Sequence, residues 1–194
     1  YIYYGNPSAT TTSDGEATFL FFDDFEDQDI SGWILSGYSY RFVADDPTLG
    51  TYSVEIYHGA GTRIGQSLEH SLDNLALPVE VVAWMKGIEG SDTGQFVKEN
   101  TYGSGHRYGY SDHSAYSLYH TEAEARRDDE PTWNAWHKYR LRVFSSSAEL
   151  DVDSEVNYLT VTGERTLGTL TKYIFDHNSG GYSSSARSRL ALVY

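Results

Sequence analysis

Apolar and polar residues alternate with a period of two through most of this chain, and the alternation predicts short β-strands. The clearest run is 136–143, where His137, Tyr139, Leu141 and Val143 fall on one face and Trp136, Lys138, Arg140 and Arg142 on the other. Directly after it, Leu150 and Val152 alternate with Glu149, Asp151 and Asp153. A two-residue loop at Ser145-Ser146 sets Leu141 opposite Leu150, Tyr139 opposite Val152, Arg142 opposite Glu149, Arg140 opposite Asp151 and Lys138 opposite Asp153. A four-residue loop keeps the same faces and shifts the pairs by two. In both registers the hairpin is a charged ladder over an apolar floor, each exposed pair contributing roughly 0.2–1 kcal/mol.

Comparable runs lie near 18–23, 33–43, 51–57, 62–69, 79–86, 94–98, 106–111, 115–121, 156–161, 166–174 and 187–193, each closed by Gly, Asp, Asn, Ser or Pro. Many short strands at regular spacing predict an all-β sandwich. The stretch 121–129 has helical composition without an apolar helical face, which predicts a solvated loop or one helical turn. At the start, apolar Phe19 to Phe22 runs into Asp23, Asp24, Glu26, Asp27 and Asp29 and then turns through Ser31-Gly32 into Trp33. This predicts a first strand ending in an acidic turn, whose hard oxygen ligands face water or hold calcium. The small polar run 8–15 before it predicts a linker or an edge crossing.

Composition narrows the partners. The 194 residues suit one domain with a substantial core, and 17 Tyr and 4 Trp with a single Met suit a β-rich surface protein. Cys is absent, which excludes disulfides and thiolate metal sites. A formal net charge of −14 argues against nucleic acid and anionic membrane surfaces, and leaves neutral sugars, cations or other proteins. The sequence has no apolar run of about 20 residues that would insert into a membrane. It opens mid-pattern with Tyr-Ile-Tyr-Tyr, as expected of an excised fragment.

Two segments carry a family resemblance. Phe22-Asp23-Asp24-Phe25-Glu26 followed by Ser31-Gly32-Trp33 resembles the opening strand of concanavalin-like and laminin-G-like jelly-roll domains, which include lectins, carbohydrate-binding modules and laminarinase-type glycoside hydrolases. Trp136-His137-x-Tyr139 and its charged hairpin resemble the middle of laminin-G-like domains. Tyr3-Tyr4-Gly5-Asn6-Pro7-Ser8-Ala9 resembles the closing strand of a domain of unknown function found just upstream of such jelly rolls in archaeal and bacterial surface proteins. The resemblance implies a two-sheet antiparallel jelly-roll sandwich over 18–194. It makes 1–17 the tail of an upstream domain, a linker or an edge strand. It also implies adjacent domains of the same parent chain as partners and an extracellular or cell-surface location.

It further implies a calcium held between the opening and last strands. Asp24, Glu26 and Asp27 supply the opening half, but the last strand, 187–194, has Arg where the family has Asp, leaving Asp45-Asp46 or Asp176 as substitutes. Laminarinase-type hydrolases carry Glu-x-Asp-x-Glu, or a form one residue longer, with the two carboxyls about 5–5.5 Å apart. Here Glu149-Leu-Asp151-Val is followed by Asp153 or Ser154, and Lys138, Arg140 and Arg142 face the row, which predicts structural pairing in place of a proton donor. The spacing of His106, His113 and His120 by seven gives no zinc pattern, and no nucleophile elbow occurs.

Sugar binding needs flat rings flanked by polar groups. Trp84 shares a strand face with Glu80 and Lys86, opposite Val79, Val81, Ala83 and Met85, while Trp136 shares one with Lys138 and Arg140. Between them in sequence, His106, Tyr108 and Tyr110 share a third. Trp84, Trp136, His106, Tyr108, Tyr110 and Arg140 are therefore the expected ligand residues of a non-catalytic polysaccharide-binding module. Its rivals are a hydrolase or lyase of the same fold and a structural spacer or adhesion domain.

Overall fold

The computed structural model describes residues 14–37, 39–44, 50–58, 66–89, 92–99, 108–112, 116–120, 123–128, 134–163, 169–178 and 186–194. Among these residues two antiparallel seven-stranded sheets carry the fold. Sheet I runs, in spatial order, β1 (Trp33–Ser36), β4 (Gln66–Ala76), β13 (Thr169–Asn178), β6 (Asp92–Glu99), β7 (Tyr108–Asp112), β8 (Tyr116–His120) and β9 (Ala123–Arg127). Sheet II runs β12 (Glu155–Thr162), β11 (Ser147–Val152), β10 (His137–Val143), β5 (Val79–Glu89), β14 (Ala186–Val193), β3 (Ser53–His58) and β2 (Tyr40–Val43). Because side chains alternate across a strand, each sheet gives one row inward. Leu68, Val97, Leu118, Tyr173 and Phe175 of sheet I meet Val54, Ile56, Val81, Tyr139, Leu141 and Leu150 of sheet II in one buried core.

The β10–β11 hairpin takes the two-residue-loop register: Tyr139 pairs with Val152, Arg140 with Asp151, Leu141 with Leu150 and Arg142 with Glu149. Phe144 N–H donates to the Ser147 carbonyl at 2.8 Å and closes the turn over Ser145-Ser146. Asp153 lies just past the end of β11 with φ 53°, and its N–H still donates to the Lys138 carbonyl at 2.7 Å.

Three expected elements differ. Residues 18–23 do not join a ladder. Asp14 caps a single helical turn, α1 (Gly15–Thr18), and the chain then crosses the end of the sandwich with one bridge, Asp23 to Val193. Phe21 still packs on the core and Phe25, just beyond, is fully buried, while Phe19 and Leu20 are exposed. The run 33–43 is split into β1 and β2, which belong to opposite sheets; Gly37, at φ 119°, supplies a conformation that L side chains rarely adopt. The stretch 121–129 contains β9, a sheet-edge strand. Its period-two face is made of Ala123 and Ala125, which pack against the core while Glu124 and Arg126 point to solvent. Alanine is a weak apolar signal, so composition pointed to helix where pairing with β8 decided strand. Among the described residues no helix is long and apolar enough to cross a membrane.

Candidate functional site

The outward face of sheet II carries the concentration of polar and aromatic chemistry. In the β5–β10 ladder Trp84 pairs with Lys138, Val82 with Arg140 and Glu80 with Arg142. His137 pairs with Met85, so Trp136 stands opposite Lys86, whose ammonium lies 5.6 Å from the Trp136 ring centroid. The result is a block of two indoles and two lysines on neighbouring strands, each indole beside a lysine, at the ~4.5–5.5 Å separation of cross-strand neighbours. Trp136 is half-buried, and its indole N–H is shielded from solvent and meets no acceptor among the described residues. Packing and the Lys86 charge therefore hold the ring, in place of a hydrogen bond.

Beside this block the acidic row of β11 is engaged by the protein itself. Asp151, only 6% exposed, takes the Arg142 guanidinium at 2.8 Å and the Asn157 N–H at 2.7 Å. Glu149 takes the same guanidinium at 3.2 Å. Asp153 receives the Lys138 N–H at 2.9 Å and pairs with His137 Nδ1 at 2.8 Å. Arg140 is less tightly held, 3.6 Å from Glu80 and 3.7 Å from Asp151. Hydrolysis by paired carboxyls needs one of them protonated and free to reach a glycosidic oxygen. Here a single arginine bridges two of the candidates, and the third is bound in a turn.

On the other flank, Glu55 is fully buried between two arginines, Arg189 at 2.6 Å and Arg41 at 2.5 Å. Arg41 also lies over the Tyr57 ring at 5.1 Å. Burial, and then the Arg41 charge, lower the Arg189 pKa.

Of the expected ligand residues, Trp84, Trp136 and Arg140 come together on this face. Tyr108 and Tyr110 do not join them. They belong to β7 of sheet I, at register positions paired with Val97 and Leu118, both fully buried. His106 lies outside the described residues. Lys86 and Lys138 were absent from the expected set although alternation had put each on the face of a tryptophan. The missing information was the β5–β10 register, which no local pattern contains.

The opening carboxylates build turns. Glu26 accepts the N–H groups of Thr51 at 2.5 Å and Tyr52 at 2.7 Å, and the Tyr52 bond is the main cause of its lowered pKa. Asp24 accepts the Glu26 N–H at 3.2 Å and Asp27 the Asp29 N–H at 3.0 Å. Asp23 accepts the Trp33 indole N–H at 2.6 Å, and its pKa is raised because burial outweighs that bond. Asp24, Glu26 and Asp27 thus serve separate backbone donors. Among the described residues no three His, Cys, Asp or Glu side chains are grouped so as to hold a metal ion. Asp45 and Asp46 lie outside the described residues, as does the side chain of Asp176.

A cavity of 320 Å³, lined by Phe19, Leu20, Leu75, Pro78, Val82 and Tyr194 among others, is mainly apolar.

With this geometry in hand, comparison with solved structures places the fold. A glycoside hydrolase family 16 endo-glucanase from Bacteroides ovatus superposes with a TM-score of 0.68 at 10% identity, covering 91% of this chain and 99% of that one. A glycosyl hydrolase family protein from Mycobacterium fortuitum gives 0.63 at 15% identity, covering 91% and 98%. The transglycosylase Crh5 gives 0.66 at 10% identity, covering 89% and 82%. The chain has the concanavalin-like jelly-roll fold. At these identities the likeness carries the fold alone. Residues 1–36 match DUF2341, a domain of unknown function. That match runs past the tail expected at 1–17 and through the opening turn to the end of β1, where Phe25 and Trp33 are already part of the sandwich core. No curated protein matches the sequence.

Proposed function

We propose that this jelly roll is a non-catalytic polysaccharide-binding domain of an extracellular or cell-surface protein, working beside other domains of its parent chain. The observation that carries the proposal is the block of Trp84, Lys138, Lys86 and Trp136 on one sheet face. Flat rings give the apolar face of a pyranose a stacking partner, and the Lys138 ammonium beside Trp84 hydrogen-bonds its hydroxyls, while the buried Lys86 backs the Trp136 ring. Binding requires complementarity to the ground-state sugar only. Hydrolysis requires a carboxyl that holds its proton, and the β11 carboxylates are bridged by Arg142 or bound in the Asp153 turn.

Affinity electrophoresis across a polysaccharide panel, with a reducing-sugar assay on the same mixtures, tests the proposal. Micromolar to millimolar binding is expected, weakened by Trp84→Ala or Trp136→Ala, with no reducing ends released. Reducing sugar that rises in proportion to protein and disappears in Glu149→Gln or Asp151→Asn would establish the hydrolase. Neither binding nor turnover across the panel would leave the spacer.

A further inference from the structure

The charge of this protein is unevenly distributed, and the unevenness falls on the ligand face. Carboxylates outnumber lysines and arginines by 28 to 14 in the chain. On the outward positions of β5, β10 and β11, with the turn that follows β11, the signs are level: Lys86, Lys138, Arg140 and Arg142 stand against Glu80, Glu149, Asp151 and Asp153. A face whose charges balance, on a protein of net charge −14, is richer in cations than overall composition explains.

The degree of engagement is also unequal. The carboxylates Glu149, Asp151 and Asp153 each have donors at hydrogen-bond or close ion-pair distance, as described above. Two of the cations, Lys138 and Arg140, keep spare capacity. Arg140 is no nearer than 3.6 Å to any carboxylate among the described residues, and the Lys138 ammonium has no ion-pair partner among them. These two side chains line a recess of 180 Å³ together with Asp151, Asp153, Ser154 and Val156, on the strand next to Trp84. The recess is small beside the about 300–1,000 Å³ of an enclosed small-molecule site. It has room for a charged substituent of a polymer that otherwise lies across the open face.

We infer that the ligand is an anionic polysaccharide whose sugar carries a carboxylate, a uronic acid. The pyranose ring stacks on Trp84, and the ring-edge carboxylate meets Lys138 and Arg140 one strand away. A guanidinium beside an ammonium matches a carboxylate in charge and in hydrogen-bond geometry. The negative charge of the remaining surface repels the same polymer, so binding is confined to this face. The inference rests on the polysaccharide-binding reading and deepens it, replacing the neutral sugar expected from net charge.

The test is titration calorimetry in EDTA at low ionic strength. The probes are polygalacturonate, its carboxyl-reduced neutral counterpart, dextran sulfate and a single-stranded oligonucleotide. Polygalacturonate is expected to bind at least about tenfold more tightly than the reduced polymer and to weaken as salt rises. Lys138→Gln and Arg140→Gln should each lose about tenfold for polygalacturonate while leaving the circular dichroism spectrum and melting temperature unchanged. Equal binding of the acidic and reduced polymers would overturn the uronate assignment and leave polysaccharide binding standing. Equal or tighter binding of dextran sulfate or the oligonucleotide would reduce the face to general anion attraction and overturn it too. If neither polygalacturonate nor any neutral polysaccharide binds, both readings fall together.

Discussion

Replacing Glu55 by leucine removes the buried carboxylate that the structure places against Arg189. Glu55 is 0% and the Arg189 side chain 9% exposed, so the substitution leaves a guanidinium shielded from water without its 2.6 Å partner. Arg41, at 50% exposure, turns to solvent, and its bridge contributes only about 0–1 kcal/mol. Breaking a buried pair from one side costs about 3–5 kcal/mol. For a domain of this size that corresponds to a fall in Tm of roughly 6–20 °C. The direction of the Arg189 pKa, lowered mainly by burial, agrees that this cation depends on a counter-charge. Urea unfolding followed by Trp fluorescence measures the loss, and a constant m-value shows that the native and unfolded states keep their exposed areas. The paired replacement Glu55→Leu with Arg189→Met should cost less than Glu55→Leu alone, because no unpaired ion is left behind. A cost below about 1 kcal/mol for Glu55→Leu, or a double replacement at least as damaging, would refute the reasoning.

Other outcomes follow from the same structure. Leu150→Ala, at a fully buried position opposite Leu141, should cost about 2–5 kcal/mol in the same unfolding assay; a loss under 1 kcal/mol would place Leu150 outside the core. His70 is half-buried, with its ring stacked 3.9 Å from that of Phe21, and burial lowers its pKa below 6.5. The folded state therefore favours neutral imidazole, and the His70 contribution is complete above pH 6.5 and declines as pH falls below it. Midpoints measured between pH 5 and 8 should show a component of this slope that is absent in His70→Gln; an identical profile in the variant would exclude it. At the opening turn the carboxylates are engaged by backbone N–H groups, so the Tm should not respond to EDTA or to excess calcium; a calcium-dependent rise abolished by Asp24→Asn would show that these side chains regroup around an ion.

Local pattern alone determined a good deal of this protein. Strict alternation in 136–153 buries Leu141, Leu150, Tyr139 and Val152 together in either of the two registers the sequence allows, and the hairpin adopts the one with the two-residue Ser-Ser loop. The same alternation put Trp84 and Lys138 on outward faces, because a strand offers each side chain only two directions. Pairing between distant strands was decided by tertiary structure. Residues 84 and 138 become neighbours only when β5 and β10 dock, and β7 goes to the opposite sheet, which separates Tyr108 and Tyr110 from the tryptophans. The alternation of Ala123 and Ala125 became a strand only when β8 supplied an edge, since two methyl groups bury too little area to define a face by themselves. The acidic opening stretch shows the same limit. Its composition suited water, calcium or a turn alike, and the approach of Thr51 and Tyr52 gave Glu26 backbone donors that no neighbour in sequence could provide.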